Sequence, residues 1–253
     1  MAKLRCAVFT IVKNENYFLP IWLKYYKQFF SDSDIYVLDH QSNDGSTDNL
    51  TVNVVPIINE VAFDHAWLTE TVENQQAKLL KKYECVIFAE SDELIYSPDM
   101  SLDILIDRFL MDRSKTHVTC EGYEMIQDMV NEKPLNPGDE IFKNRNYWFR
   151  YQEYDKTLIS KIPLKWIWGF HLTKNITREL GYNLHLIHLH RCDFELMLKR
   201  HEERATKWNM SKDDGGGSQH RIGDRAGVLK YFRSIPNNMT LIPIKHKQAF
   251  NGI

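Results

Sequence analysis

The sequence is short of the features that mark several classes of protein. No apolar run approaches the roughly 20 residues needed to cross a bilayer, so no membrane-spanning helix is expected. Cysteine is scarce: Cys6, Cys85, Cys120 and Cys192 stand far apart and form no C-x-x-C pair. Such spacing speaks against a zinc knuckle or a dithiol redox motif. Cys6 and Cys85 lie in apolar runs, where a free thiol packs as a small core residue. Four reduced thiols favour a cytoplasmic setting. Met1 to Arg5 runs straight into a strand-like stretch rather than a secretory leader. Charge of one sign is also lacking. With a net charge of −2, there is no overall basic field to draw the chain to nucleic acid. Peripheral contact with a membrane is left open. There are no repeats, and the only glycine-rich segment is 213–218.

What is present is an ordinary globular mixture, 43% hydrophobic and 26% charged over 253 residues. Cys6–Val12 is a continuous, β-branched apolar run, as in a strand buried on both faces of a parallel sheet. Asn14 and Asn16 offer caps for a helix from about Tyr17 to Phe30, with Phe18, Trp22, Tyr25 and Phe29 at helical spacing. Pro20 falls in its first turn, where proline costs least. Ile35–Leu38 is a second strand, followed by the polar loop Asp39–Asp48. Val52–Ile58 is a third, placed at a sheet edge by Pro56. A helix from about Trp67 to Tyr83 leads to the buried strand Cys85–Ala89. This alternation predicts an α/β layer fold with ligands at the carboxyl ends of its strands.

The half after residue 100 reads as less regular, with aromatic clusters at 147–149 and 166–171. Leu184–His190 predicts a strand that puts His188 and His190 on one face. A helix from about Asp193 to Trp208 precedes a flexible loop near 211–224.

Three acids in Glu90-Ser91-Asp92-Glu93 repel one another unless a cation sits among them. Hard oxygen donors suit Mg²⁺ or Mn²⁺, and His188 or His190 in the same shell would lean towards Mn²⁺. The same four residues would also serve as a solvated turn. Asp39 is placed to bind a base or ribose, and Asp44, Gly45, Ser46 and Thr47 to form a tight turn that caps the next helix. Arg191, Arg200, Arg204, Arg221 and Arg225 surround the glycine-rich loop, a composition fit for closing over a diphosphate. Trp166, Trp168 and Phe170 beside His171 offer ring faces for a sugar, or for the core.

Three of these segments carry a resemblance. Val12-Lys13-Asn14-Glu15 resembles the opening motif of family 2-like glycosyltransferases. Asp39–Asp48 resembles their D-x-x-S-x-D-G-[ST]-x-D element. Glu90-Ser91-Asp92-Glu93-Leu94 is similar to the D-x-D-E-F metal segment of one branch. The three occur in the family's order within the first hundred residues.

The resemblance implies a GT-A-type, Rossmann-like mixed sheet with flanking helices, forming a single catalytic domain over 1–253. About 1–100 would bind the nucleotide sugar, and about 101–253 would be an irregular acceptor-binding half. It implies transfer of a sugar from a nucleoside-diphosphate donor to a hydroxyl acceptor with a divalent cation, Mn²⁺ or Mg²⁺. Val12, Asn14, Glu15, Asp39, Asp44, Glu90 and Ser91 would line the nucleotide pocket. Asp92, with Glu90, His188 or His190, would hold the metal. Glu90 replaces the first Asp of the pattern, and its longer side chain suits it to the ribose or to a cation-bound water. Trp166, Trp168 and His171 would face the acceptor, and Arg204 and Arg221 the diphosphate. An inverting enzyme needs a general base; Glu124, Asp128 and Asp155 are the candidates, Glu124 first because Gly122-Tyr123-Glu124 reads as a strand end. The rivals are nucleotidyl transfer, which would want a glycine-rich loop after the first strand, and a non-catalytic nucleotide-sugar-binding module.

Overall fold

The computed structural model describes residues 3–59, 64–207, 222–235 and 238–253. In chain order the elements are β1 (Leu4–Val12), α1 (Phe18–Tyr26), β2 (Ile35–Asp39), β3 (Asn53–Pro56), α2 (His65–Leu79), β4 (Tyr83–Phe88), β5 (Glu93–Tyr96) and α3 (Leu102–Met111). They continue with β6 (His117–Ile126), α4 (Ile141–Asn144), β7 (Tyr147–Arg150), β8 (Lys156–Ser160), β9 (Leu180–Arg191), α5 (Phe194–Lys207), α6 (Arg225–Arg233), β10 (Thr240–Leu241) and α7 (Ile244–Gln248).

Among the described residues, the ten strands join one mixed sheet in the order β10-β7-β6-β8-β4-β1-β2-β3, with β9 paired to β6 and β5 to β9. The α/β class expected from the first hundred residues is the class observed. Strands β4, β1, β2 and β3 run parallel. The register sets Val12 against Asp39 and Phe9 against Phe88, so the loops after β1, β2 and β4 leave the sheet on one edge. β1 and β4 are central, and Ala7, Val8, Phe9, Val86, Ile87 and Phe88 have no exposed surface. This is why both read as unbroken apolar runs. β3 closes the sheet at the predicted edge, where a proline leaves no ladder bond unmade.

Helix α1 seats Phe18, Trp22, Tyr25 and Tyr26 in the core, each burial contributing about 1.5–3 kcal/mol. The Tyr25 hydroxyl donates to the Ile95 carbonyl at 2.8 Å and ties the helix to β5. Two capping expectations fail. The residue before α1 is Tyr17, which makes no side-chain cap bond. The Asn16 N–H instead donates to Asp44 at 3.2 Å, and Asn14 adopts a left-handed φ of 57°, which asparagine tolerates better than most. No helix follows the Asp39 loop: Thr47 Oγ1 donates to Asp39 Oδ2 at 3.2 Å, and the chain passes through turns to β3.

Beyond residue 100 the chain adds β6 to β10 to the same sheet. β9 lies antiparallel to β5 and parallel to β6, so His188 is in register with Glu93 on one side and Glu124 on the other. Helix α5 is anchored at its N-terminus by Asp193. One oxygen of this residue accepts from the Glu195 and Leu196 N–H groups; the other accepts from Leu135 N–H and pairs with Arg145 at 2.9 Å. All four cysteines are buried and free. Among the described residues, no helix is long and apolar enough to cross a membrane.

Candidate metal and ligand site

At the carboxyl edge of β1 and β4 lies a cavity of about 230 Å³. Its lining takes Val12, Asn14 and Glu15 from the first loop and Glu90, Ser91 and Asp92 from the loop after β4. β9 supplies His188 and His190, and α5 supplies Arg200 and Arg204. Thus most of the residues expected at a nucleotide and metal site meet in one place, although 185 positions separate Glu15 from its partner Arg200.

Asp92, His188 and His190 stand close enough for one cation. A ligand atom from each lies within 4.8 Å of the others. The hydrogen bonds behind the histidines decide which nitrogens face inward. His188 Nδ1 donates to Glu124 Oε2 at 2.7 Å, leaving Nε2 3.6 Å from Asp92 Oδ2. On His201, Nδ1 lies 3.0 Å from the Ile222 carbonyl, and a carbonyl can only accept. His201 Nε2 is then the acceptor for His190 Nε2–H at 3.2 Å, and His190 turns Nδ1 towards Asp92 Oδ2 at 3.9 Å. The protons are assigned from this network. Outer carboxylates and carbonyls that fix an imidazole in this way are the usual second layer of a metal site. One carboxylate and two imidazoles suit a divalent transition metal.

Charge in the site is balanced by basic side chains. Arg200 bridges Asp92 at 2.5 Å and Glu15 at 2.8 Å. Burial opposes ionisation of Asp92, yet Arg200, then His188 and His190, hold its carboxyl well below the usual range. Burial also opposes charge on His188, but Glu124 and Asp92 outweigh it and raise the imidazole well above its ordinary value. For His190, burial, Arg200 and His188 all act downward, keeping the ring neutral. Burial raises the Glu15 carboxyl against the pull of Arg200.

Lys156, at the start of β8, inserts its ammonium between Glu90 and Glu93, 2.6 Å from each. Glu93 is fully buried and accepts the Glu90 N–H at 3.0 Å, closing the turn that presents Asp92. The acidic segment is therefore a braced turn, with Asp92 aimed across the cavity at β9.

Other expected site residues are placed elsewhere. The Asp39 carboxylate accepts from Ser42 N–H and Thr47 Oγ1, and Asp44 accepts from Asn16 and Ser46 N–H. Both brace the loop and neither lines the cavity. Glu124 is fully buried behind His188, its second oxygen taken by the Arg191 N–H at 2.8 Å. Asp155 is buried against Arg150 and the Gly122 N–H. Asp128 accepts from Val130 N–H and the Asn131 side chain in an exposed turn. None of the three expected bases reaches the cavity.

Trp166 is fully buried, donating to the Thr157 carbonyl at 3.2 Å and packing on Phe88 and Phe170. His171 does line the cavity and stacks on Tyr154; burial, then the charges of Lys156 and His188, push it down to about 2. The Trp168 side chain, Trp208, Arg221 and the glycine-rich segment lie outside the described residues.

Lys156, Tyr154, Glu203 and Tyr231 also line the cavity and were not expected from the sequence. For Lys156 a signal existed: it heads a short apolar strand, where a lysine needs a carboxylate partner to be buried.

No protein-family model matches the chain, and no curated protein matches it. Among solved structures, a mannosyltransferase from Pyrobaculum calidifontis, in complex with GDP-Man and Mn²⁺, is 17% identical with a TM-score of 0.33 over 47% of this chain and 36% of that one. A cytidylyltransferase from Leptospira borgpetersenii is 13% identical with a TM-score of 0.31 over 52% and 57%. A mannose-1-phosphate geranyltransferase from Thermus thermophilus is 7% identical with a TM-score of 0.35 over 99% and 68%. Likeness at this level says nothing of what the chain binds, so function must be argued from the side chains.

Proposed function

We propose that the chain is a single-domain, cation-dependent glycosyltransferase of the family 2-like, GT-A type. It would move a sugar from a nucleoside-diphosphate donor to a hydroxyl acceptor. The observation that carries this reading is the meeting of Asp92 with two imidazoles whose inward nitrogens are fixed from behind, beside the Val12–Glu15 loop. Asp92, His188 and His190 would hold Mn²⁺ or Mg²⁺. A cation there neutralises charge developing on a leaving diphosphate.

The chain's own residues do the rest. Val12, Asn14 and Glu15 form the wall against which the nucleotide lies. Arg200, paired with Asp92 and Glu15, would share Asp92 with a cation held there, and with Arg204 its planar fork suits phosphoryl oxygens. Lys156 keeps Glu90 and Glu93 from repelling the donor. With Glu124, Asp128 and Asp155 away from the cavity, the proton acceptor for an incoming hydroxyl comes from the part-exposed carboxylates that line it, Glu90 or Glu203.

Titration calorimetry with UDP and GDP, with and without Mn²⁺, tests the reading, followed by a donor screen that reads released nucleoside diphosphate. Cation-dependent binding that Asp92→Asn removes supports it. Absence of any nucleoside-diphosphate binding sinks it. Release of pyrophosphate from a nucleoside triphosphate would point instead to nucleotidyl transfer. Donor binding without turnover would point to a binding module.

A further inference from the structure

A second cavity, of about 760 Å³, adjoins the first and shares Tyr154, His171 and Tyr231 with it. Arg191, the last residue of β9, lies in its wall and is 3% exposed. Among the described residues the other buried cations are matched by carboxylates, Arg145 by Asp193 and Lys156 by Glu90 and Glu93, as is the part-buried Arg200 by Asp92 and Glu15. Arg191 is not. Among the described residues no carboxylate comes within ion-pair distance of its guanidinium.

Its Nη1 donates to the Ser234 carbonyl at 3.2 Å, and its plane lies against the rings of Tyr231 and Phe149. Nε is buried without an acceptor. Glu124 is the carboxylate whose charge it feels most, but both Glu124 oxygens are taken, by His188 and by the Arg191 backbone N–H. Glu124 thus offsets the burial of the charge from a distance but makes no ion pair with it, and an anion in the cavity would add the direct charge-assisted bonds that the guanidinium lacks.

The same cavity carries a second cation, Arg178, which donates to the Gln152 and His171 carbonyls and, among the described residues, to no carboxylate. Its one acid, Glu153, accepts from the Tyr151 hydroxyl at 2.5 Å. Tyr151, Tyr154 and Tyr231 give the cavity ring faces, on which the C–H surface of a sugar can stack.

We propose that this second cavity is the acceptor subsite and that the acceptor is a sugar bearing a carboxylate or phosphate, held by Arg191 with Arg178 beside it. That the cavity holds an acceptor rests on the transferase reading; that it binds an anionic sugar rests on Arg191, Arg178 and the tyrosines. Charge-assisted bidentate bonds to guanidinium fit either anion, and the tyrosines supply the selectivity for a ring.

The test uses the full chain without metal or nucleotide. Saturation-transfer NMR and calorimetry are run with D-glucuronate, D-glucose 6-phosphate and D-glucose. At least one anionic sugar should bind about tenfold more tightly than glucose and weaken as salt rises; which one binds tells carboxylate from phosphate. Arg191→Met should abolish the preference and Arg191→Lys should keep part of it. Arg178→Gln, at an exposed position, should weaken it severalfold and covers the case in which Arg191→Met fails to fold. Equal binding of all three sugars, no binding of any, or wild-type binding by Arg178→Gln and a folded Arg191→Met overturns the proposal. Because no nucleotide or cation is present, these outcomes are independent of whether UDP or GDP binds at the first cavity.

Discussion

His188 stands between two carboxylates, 2.7 Å from Glu124 through Nδ1 and 3.6 Å from Asp92 through Nε2. The first contact sets the second: with Nδ1 committed to Glu124, Nε2 faces Asp92, as an N–H while the ring is charged and as a lone pair for a cation once that proton is displaced. Replacing Glu124 by Gln removes the charge that holds this orientation and leaves an amide that can turn either way. Glu124→Gln should therefore lower Mn²⁺ affinity by about 10–100-fold, measured by calorimetry or by quenching of the free Mn²⁺ spectrum. An unchanged affinity would reduce Glu124 to a packing residue.

Arg200 holds together the buried Asp92 and the part-buried Glu15. Removing one partner of such a cluster costs about 3–5 kcal/mol, because the others are left charged and unmatched. Arg200→Met should lose stability on that scale in urea. Added Mn²⁺ should restore much of it and raise the thermal midpoint more in the variant than in the parent. Equal shifts in both proteins would mean that the cation does not take over the charge that Arg200 supplies.

Lys156 offers a parallel case with a different readout. Burial lowers the ammonium's affinity for its proton, but Glu90 and Glu93 outweigh it and raise the pKa. Lys156→Met leaves two close carboxylates, one fully buried, and should cost about 3–5 kcal/mol. Pairing it with Glu93→Gln should recover part of the loss, giving a clear coupling energy in a double-mutant cycle. Simple additivity would show that the three charges do not act together.

Gly122 sits where β6 passes under Tyr154. A Cβ there would lie 2.4 Å from the Tyr154 backbone. Gly122→Ala should destabilise the protein by about 1–3 kcal/mol through overpacking, and it should shift Tyr154, which lines both cavities. Chemical denaturation checks the first effect, and a change in tyrosine fluorescence anisotropy the second.

His185 gives a pH dependence. Its ring is 4% exposed, stacks on Tyr123 and is lowered to about 4 by burial, then by the neighbouring His246. The unfolded chain titrates near 6.5, so between these values the unfolded state binds more protons. The stabilisation is complete above about pH 6.5 and is lost as pH falls through 4, to a limit of about 3 kcal/mol. Urea midpoints at pH 7.5 and 4.5 should show this slope, to which His171, His190 and His201 add in the same sense, and His185→Phe should reduce it by its own share.

Much of the first hundred residues was open to reading because β1 and β4 are buried on both faces and the acids and asparagines follow them directly. Helix ends were less visible: α1 stops at Tyr26, and Phe29 packs from the turn beyond it. The second half hid more. β6 carries Glu121, Tyr123 and Glu124 among apolar neighbours, a pattern that its pairing with β7, β8 and β9 explains only in three dimensions. The histidines on β9 could be placed on one face by counting. That Glu124 and His201 stand behind them could not, since those contacts join separate elements across 64 and 11 positions. The partners of Lys156 and Arg200 were hidden for the same reason: Glu90 and Glu93 lie far from the one in the chain, and Glu15 and Asp92 far from the other.

β9 meets β5 through one side and β6 through the other while carrying His188, His190 and Arg191 at its end. Its length therefore works as a count. Dropping or adding one residue between 180 and 187 would reverse the parity of every later position. Leu189 would then face the cation position, and the imidazoles would face the opposite side of the sheet. Two-residue changes would restore the facing but slide His188 out of step with both Glu93 and Glu124. Among diverged relatives of this chain, the letters of this strand should vary more freely than its number of residues.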